Sequence, residues 1–220
     1  FTKIFGDKLE SVLMGITMVI SVILALGIFM VLPFFLTNLM KGFLPSYSIR
    51  TLIEGIIRVA LFLIYIWLIS KMEDIKRVFM YHGAEHKTIN CLEHGEDLTP
   101  ENIKKYSRLH KRCGTSFLLI VMIVSIVVFM FIRVDSLVWK FVLRILLVPV
   151  VAGISYEFIR LAGRSDSKIV NTLSKPGLYL QYFTTREPDE EMMEVAIKAV
   201  EGVFDWREYL RAMHNGELED

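Results

Sequence analysis

Histidine and cysteine, the side chains that bind zinc and related ions most readily, are concentrated in one part of this chain. Four of the five histidines and both cysteines lie between His82 and Cys113. The stretch opens with the pattern H-x-x-E-H, in which Glu85 stands between His82 and His86. It closes with H-x-x-C, from His110 to Cys113. We therefore predict a site for a divalent metal ion, with zinc as the expected ion, bound by His82, His86, His110 and Cys113.

The spacing of the first pattern also predicts a chemical role for Glu85. On an α-helix, residues four apart share a face, so two histidines can bind one ion while the glutamate beside them acts as a base on a bound water. This arrangement is typical of zinc hydrolases. If all four ligands fill the coordination sphere, however, the ion is structural, because catalytic zinc keeps an open position. The sequence leaves both interpretations open.

The same residues have simpler explanations. His82 and His86 can be ordinary helix residues, hydrogen-bonded to the neighbouring glutamate or to lipid phosphates. Cys113 can be a small apolar residue at a membrane entrance. Cys91 and His94 form a further C-x-x-H pattern, but they lie where a turn is predicted, and we expect both at the surface.

The composition is that of a membrane protein with a substantial polar part. Hydrophobic residues make up 54% of the 220 positions and charged residues 22%. The net charge of +1 provides no basic excess, so we expect no nucleic-acid partner. Two cysteines are too few for a disulfide framework and are expected as free thiols.

Apolar segments predict about four membrane spans, since a spanning helix needs about 20 largely apolar residues. The segments are residues 12–36, 52–70, 115–132 and 137–159. Pro33 predicts a kink or an exit near the end of the first. Lys140, Arg144 and Glu157 interrupt the fourth, for which a re-entrant segment is the alternative. We expect an all-α fold: a multi-pass transmembrane helical bundle.

The distribution of lysine and arginine predicts the orientation in the membrane. The connector 71–114 contains nine of them, whereas the connector 37–51 contains two. Because basic connectors stay on the cytoplasmic side, we expect the histidine-rich connector and the C-terminus in the cytoplasm. The predicted divisions are residues 1–70 with the first two spans, 71–114 as a metal-binding hairpin, 115–163 with the third and fourth spans, and 164–220 as a C-terminal helical tail.

The connector is predicted to be an antiparallel helical hairpin. Its first limb carries the histidines of H-x-x-E-H on an apolar face. Its second limb begins with Thr-Pro-Glu at 99–101, a helix-start signal, and is expected as a helix that carries H-x-x-C on one face. With a turn near Gly95, His82 lies opposite His110, and the four ligands reach one level.

Two acidic residues belong to predicted spans. Glu54 with Arg58 and Glu157 with Arg160 have the spacing of intrahelical ion pairs, and a functional role is the alternative. Glu157 is expected on the same side as the hairpin, where it can serve as an alternative metal ligand or as a hydrogen-bond acceptor behind one. The C-terminal helices are expected to pack on the hairpin and cover it.

Four stretches of sequence resemble the YqhQ-like family of bacterial multi-pass membrane proteins. They are Y-H-G-A-E-H-K-T-I at 81–89, S-R-L-H-K-R-C-G-T at 107–115, G-I-S-Y-E-F-I-R at 153–160, and P-G-L-Y-L-Q with T-T-R-E-P at 176–188. The resemblance implies a metal-dependent enzyme of the bacterial cell membrane without naming its reaction. Members of that family also carry a glycine-rich segment of the G-G-Q-A type ahead of the first span, which these 220 residues do not include. All five residues of the predicted site fall inside these motifs, whereas Cys91 and His94 fall outside them.

These observations lead to one hypothesis and one alternative. The hypothesis is a metal-dependent hydrolase of the membrane with a cytoplasmic zinc-type site, which acts on a membrane-associated substrate. The alternative is a non-enzymatic scaffold, assembly factor or carrier, in which the metal stabilises the hairpin and the partner is another membrane protein. In both, the lipid bilayer surrounds the spans.

Overall fold

In a computed structural model of the chain, residues 2–44, 46–134, 136–165 and 167–217 are described. These residues form helices and contain no β-strand, so the expected all-α class is confirmed. The α-helices are α1 Thr2–Leu26, α2 Leu32–Leu39, α3 Tyr47–Ile69, α4 Glu73–Glu93, α5 Pro100–Ile103, α6 Gly114–Met130, α7 Leu137–Leu146, α8 Val148–Arg164, α9 Lys168–Thr184, α10 Glu190–Glu201 and α11 Trp206–His214.

The described part of the chain has two helical stretches that are long and apolar enough to cross a membrane. They are Leu9–Leu39, which joins α1 and α2, and Tyr47–Ile69. A third candidate is the pair of α7 and α8, which are bent by 40° relative to each other and can be counted as one broken span. Helix α6 is apolar but has only 17 residues. Length and composition therefore support two spans, or three with the bent pair.

The chain forms two compact units. One contains Phe1–Leu63 with Met122–Leu147, and the other contains Ile64–Val121 with Val148–Asp220. In the first unit, Pro33 has no amide hydrogen to donate to the carbonyl of Phe29, four residues before it. A π-helical turn, Gly27–Val31, lies at this point, and the Phe29 carbonyl accepts a hydrogen bond from Nε of Arg58 at 3.0 Å. The effect of Pro33 is thus a change of helical pitch, after which the helix continues as α2.

Glu54 of α3 is the centre of a buried ion-pair network in the first unit. Its side chain is 2% exposed, and its carboxylate lies 3.0 Å from Arg58 Nη2, as the spacing of the two residues predicted. Arg144 and Lys140 of α7 also reach it, at 2.6 Å and 3.5 Å. The two cations that interrupt the fourth apolar segment, Lys140 and Arg144, therefore have a partner, which lowers the cost of burying them.

The second unit has a core built from the connector and the C-terminal helices. Helix α10 packs against α4 and α5, which confirms that the C-terminal part covers the connector. The core consists of Cys91, Leu92, Leu98, Ile103, Met193, Trp206 and Leu210. Asp189 and Asp205 cap α10 and α11 by accepting hydrogen bonds from backbone amides of the first turn. Because α11 covers the turn after α4, Cys91 is fully buried, and the predicted surface position of Cys91 is wrong. His94 is exposed, as expected.

The second limb of the connector is not the long helix that the sequence predicted. Thr99 caps α5, with its hydroxyl accepting from the amide of Asn102, but the helix ends at Ile103. Residues 104–113 form turns and extended chain before α6 begins at Gly114. Lysine and arginine three and four residues apart in this segment disfavour a helix. Side chains from elsewhere also take its carbonyls: Asn90 Nδ2 donates to those of Ser107 and Leu109.

Replacing Glu54 with glutamine is expected to destabilise the protein by about 3–5 kcal/mol, because buried arginines lose the carboxylate that compensates their charge. The measurement is unfolding of the purified chain in neutral detergent. Glu157→Gln is the matched control, since Glu157 also pairs with an arginine on its own helix, at 3.5 Å, but its side chain is 65% exposed. Equal stability of the two variants would contradict the role given to Glu54.

Candidate metal centre

Helix α4 presents both histidines of the H-x-x-E-H pattern on one face, as predicted. Their ring centroids are 4.3 Å apart. Cys113, the residue just before α6, lies against the same face, with its Sγ 3.3 Å from Nε2 of His82. One donor atom each from His82, His86 and Cys113 lie within 4.8 Å of one another. Three of the four predicted ligands therefore converge.

Hydrogen bonds to the main chain orient both imidazole rings. Nδ1 of His82 is 2.7 Å from the carbonyl oxygen of Thr184, and Nδ1 of His86 is 2.7 Å from that of Arg108. Because a carbonyl oxygen only accepts hydrogen bonds, each Nδ1 carries a proton, which leaves Nε2 as the nitrogen that can bind a metal ion or, when protonated, donate a hydrogen bond to Cys113. In metal-binding histidines, the ring nitrogen that does not bind the metal characteristically donates such a hydrogen bond.

The three donors fit a zinc-type ion in kind, and the sulfur–nitrogen pair of Cys113 and His82 also fits it in spacing. Two imidazole nitrogens and one thiolate are a donor set that zinc accepts. With metal–sulfur bonds of about 2.3 Å and metal–nitrogen bonds of about 2.0 Å, tetrahedral angles separate sulfur from nitrogen by about 3.5 Å. The observed 3.3 Å between Cys113 and His82 is close to this separation. His86 and Cys113 are buried, at 4% and 5% exposure.

The surroundings of Cys113 favour its thiolate. Burial by itself raises the pKa of the thiol, but hydrogen bonds with His82, His86 and the hydroxyl of Thr115 outweigh it and lower the pKa to about 5. For His82, burial acts to lower the pKa, while the hydrogen bonds to Cys113 and to the Thr184 carbonyl raise it above its usual value. The sulfur is therefore ionised at neutral pH, the form in which cysteine binds metals.

His110 does not join this group of donors. Its Nε2 lies 3.3 Å from both carboxylate oxygens of Glu93, which also pairs with Arg112 at 2.5 Å. Its ring centroid is 5.8 Å from that of His86, so the side chain lines the same cavity without turning its nitrogen toward the other ligands. The predicted pairing of His82 with His110 is wrong, because Cys113 occupies the place opposite His82.

Of the two predicted carboxylates, one lies at the cluster. Glu85 is exposed and lines a cavity of about 230 Å³ together with the three converging residues. Glu157 of α8 is mostly exposed, pairs with Arg160 at 3.5 Å, and is not a member of the His–Cys group. The side chains at the cavity are thus those of the two connector motifs.

The sequence did not single out the residues of α9 that hold the cluster in place. Gln181 is fully buried: its Oε1 accepts from the amide of His110, while its Nε2 donates to the carbonyl of His110 and to Ser116 Oγ. Thr184 and Thr185 are also buried, at 1% and 0% exposure. A signal is present in the sequence, because these polar residues fall inside the motif stretch 176–188, but their types alone do not indicate which backbone groups they bond.

Gly83 allows the chain after α9 to cross α4 directly beside the histidines. The amide of Arg186 donates to the carbonyl of Phe79 at 2.8 Å. A Cβ atom on Gly83 would lie 2.0 Å from the carbonyl oxygen of Arg186. Because that obstacle is backbone, no side-chain rotation can relieve it. The glycine of H-G-A-E-H is therefore required by packing.

The fold and the cluster together define a class: a helical protein with helices apolar enough to cross a membrane and a largely buried group of two histidines and one cysteine beside an exposed glutamate. The chain belongs to the family described as "Protein of unknown function (DUF1385)", which matches residues 2–206. It is 41% identical over 182 residues to the "Uncharacterized protein YqhQ" of Bacillus subtilis (strain 168). The match covers 82% of this chain and 57% of that relative. No solved structure matches the chain. The resemblance to the YqhQ-like family is thereby confirmed.

Replacing Gly83 with alanine is expected to destabilise the protein by about 1–3 kcal/mol, the usual cost of overpacking, and to separate His82 from Cys113. Thermal unfolding in detergent measures the first effect. Gly114→Ala is the control, because Gly114 lines the same cavity and a Cβ there would meet nothing within 4 Å. A Gly83 variant as stable as the Gly114 variant would contradict the close crossing.

Proposed function

We propose that this chain is a metal-dependent hydrolase of the bacterial cell membrane, with a zinc-type ion held by His82, His86 and Cys113 and Glu85 as general base. The observation that carries the proposal is the convergence of three donor atoms within 4.8 Å, with Glu85 on the wall of the same cavity. When bound, such an ion polarises a carbonyl or phosphoryl oxygen and makes water a nucleophile at neutral pH.

The number of converging ligands supports a catalytic site over a structural one. Structural zinc sites have four protein ligands, whereas catalytic sites have three and leave a position for water or substrate. Here the fourth predicted ligand, His110, directs its Nε2 at Glu93. A set of three converging donors among the described residues would leave a bound ion a position for water, which favours the hydrolase over the scaffold.

The residues around the cluster have distinct tasks. Glu85 is exposed and follows His82 by three positions on α4, so its carboxylate is placed to accept a proton from the attacking water. Arg112 lines the same cavity, where its guanidinium pairs with the carboxylate of Glu93. Thr184 and Arg108 hold the imidazoles through their carbonyls, so the rings are oriented before substrate arrives.

The position of the cluster relative to the apolar helices supports a membrane-associated substrate. Cys113 immediately precedes the apolar helix α6, which places the site at one end of that helix. We count α6 as a fourth span, although its 17 residues extend about 25 Å against a hydrocarbon core of about 30 Å, because bilayers thin around short helices. With four spans and nine basic residues in 71–114, the site faces the cytoplasm.

A second candidate function follows from the contact of Cys113 with His82. A thiolate 3.3 Å from an imidazole is also the arrangement of a cysteine nucleophile and its base, which needs no metal. In that enzyme Cys113 Sγ attacks an acyl carbonyl, and His82 moves the proton to the leaving group. Metal content of the purified protein distinguishes the two candidates.

Purified wild-type protein is expected to hold one metal ion per chain, and Cys113→Ala is expected to lose it, since two histidines alone bind zinc weakly. Elemental analysis by mass spectrometry measures both. Cys91→Ala is the matched control, because Cys91 is buried in the core and is not a member of the group. If the wild type is folded without metal and alkylation of Cys113 inactivates it, the metal-dependent mechanism is wrong and the cysteine-nucleophile mechanism is supported.

Glu85→Gln is expected to retain one metal ion per chain while hydrolysis falls by about 10²–10⁴-fold, the usual contribution of a general base. Activity is measured with a panel of chromogenic esters, phosphoesters and peptides in mixed lipid micelles. Glu73→Gln is the control, an exposed acid on the same helix that pairs with Lys76. If Glu85→Gln retains full activity while His110→Ala releases the metal and unfolds the protein, the metal is structural. That result supports the non-enzymatic scaffold over the hydrolase.

A further inference from the structure

The first unit contains a cavity of about 420 Å³ that shares no residue with the candidate metal centre. Its wall includes the end of α2 and the chain just after it, the first two turns of α3, and the first turn of α7. Besides Tyr47, the polar residues at the wall are Thr37, Asn38, Lys41, Arg50, Thr51, Glu54 and Lys140. The wall also includes the aromatic rings of Tyr47 and Phe34. The ammonium nitrogen of Lys140 lies 5.6 Å from the ring centroid of Tyr47 and 5.2 Å from that of Phe34.

The charge around this cavity is positive. Among the described residues at the wall, three are cations and one is an acid. The acid, Glu54, is already engaged by two arginines that are not part of the wall, at 3.0 Å from Arg58 and 2.6 Å from Arg144. Little of its negative charge remains to balance Lys41 and Arg50. The cavity therefore favours an anion.

Two buried polar atoms at the wall have no protein partner in the described part of the chain. They are Oγ1 of Thr51, whose side chain is 4% exposed, and Nε of Arg50. Burying a hydrogen-bond donor without an acceptor costs free energy, and native proteins rarely contain such an unsatisfied donor. Nε of Arg50 can only donate, and the hydroxyl of Thr51 can donate as well, so a ligand with acceptor oxygens satisfies both atoms.

We propose that this cavity binds a phosphate-type anion, carried by a phospholipid headgroup or by free phosphate. Arginine, lysine and hydroxyl donors grouped around one space are the chemistry that recognises phosphate oxygens. Arg50 and Thr51 also belong to the first two turns of α3, where the helix dipole adds to the attraction for an anion. The cavity lies at the ends of two helices that are apolar enough to span a bilayer. The ends of such helices are at the depth of the lipid headgroups.

The test uses the purified full chain in neutral detergent and follows the unfolding midpoint as a ligand is added, which yields an apparent dissociation constant. The probes are phosphatidylglycerol, phosphatidylcholine and inorganic phosphate. We expect phosphatidylglycerol or phosphate to raise the midpoint of the wild type. Arg50→Gln is expected to weaken the binding at least about tenfold, the loss of one charge-assisted contact. Arg133→Gln, which removes an exposed arginine of the same unit, leaves the binding unchanged.

Thr51→Val provides a second variant that keeps the charge and the volume. Without ligand it is expected to be at least as stable as the wild type, because the hydroxyl it removes has no protein partner. With ligand it is expected to lose part of the stabilisation. A response to phosphatidylglycerol alone assigns the lipid headgroup, and a response to phosphate assigns the free anion. The proposal is overturned if neither phosphatidylglycerol nor phosphate raises the midpoint, if zwitterionic phosphatidylcholine raises it as much as phosphatidylglycerol does, or if the wild type and both cavity variants respond equally.

Discussion

The crossing of α4 by the chain that leaves α9 is the contact on which the candidate metal centre depends. It is close because residue 83 is glycine, and it brings the carbonyl of Thr184 to Nδ1 of His82 at 2.7 Å. One turn earlier in α9, Gln181 bonds the backbone of the segment that ends at Cys113. The same stretch of chain therefore orients a ligand on each side of the cluster.

In the first unit, buried charge is organised by one acid. The positive charges of α7 weaken its apolar character, yet they lie around Glu54 and make the helix compatible with a buried position. Because cations outnumber the acid, the surroundings keep a positive potential, and Arg50 and Thr51 keep donors that have no acceptor among the described residues. Stability of the fold and affinity for an anion thus come from one arrangement of charges.

The sequence-based predictions were accurate for features set by neighbouring residues and less accurate for features set by contacts between residues far apart in the chain. The face shared by His82 and His86 follows from helical spacing alone, and the structure has it. The second limb was predicted as a helix because its apolar pattern fits one. Side chains of α4 and α9 instead take its carbonyls, so counting by helical turns placed His110 where Cys113 lies. Cys91 was misplaced because the packing of α11 on the turn is a long-range contact.

The sequence by itself determined the all-α class, the apolar spans, the capped helix starts and the residue types of the cluster, because these depend on local spacing and composition. Only the tertiary structure decided which donors meet. His82, His86 and Cys113 converge, while His110 turns to Glu93, because the irregular segment before α6 is shaped by hydrogen bonds from distant side chains. Because these hydrogen bonds join residues far apart in the chain, no periodic pattern in the sequence predicts them.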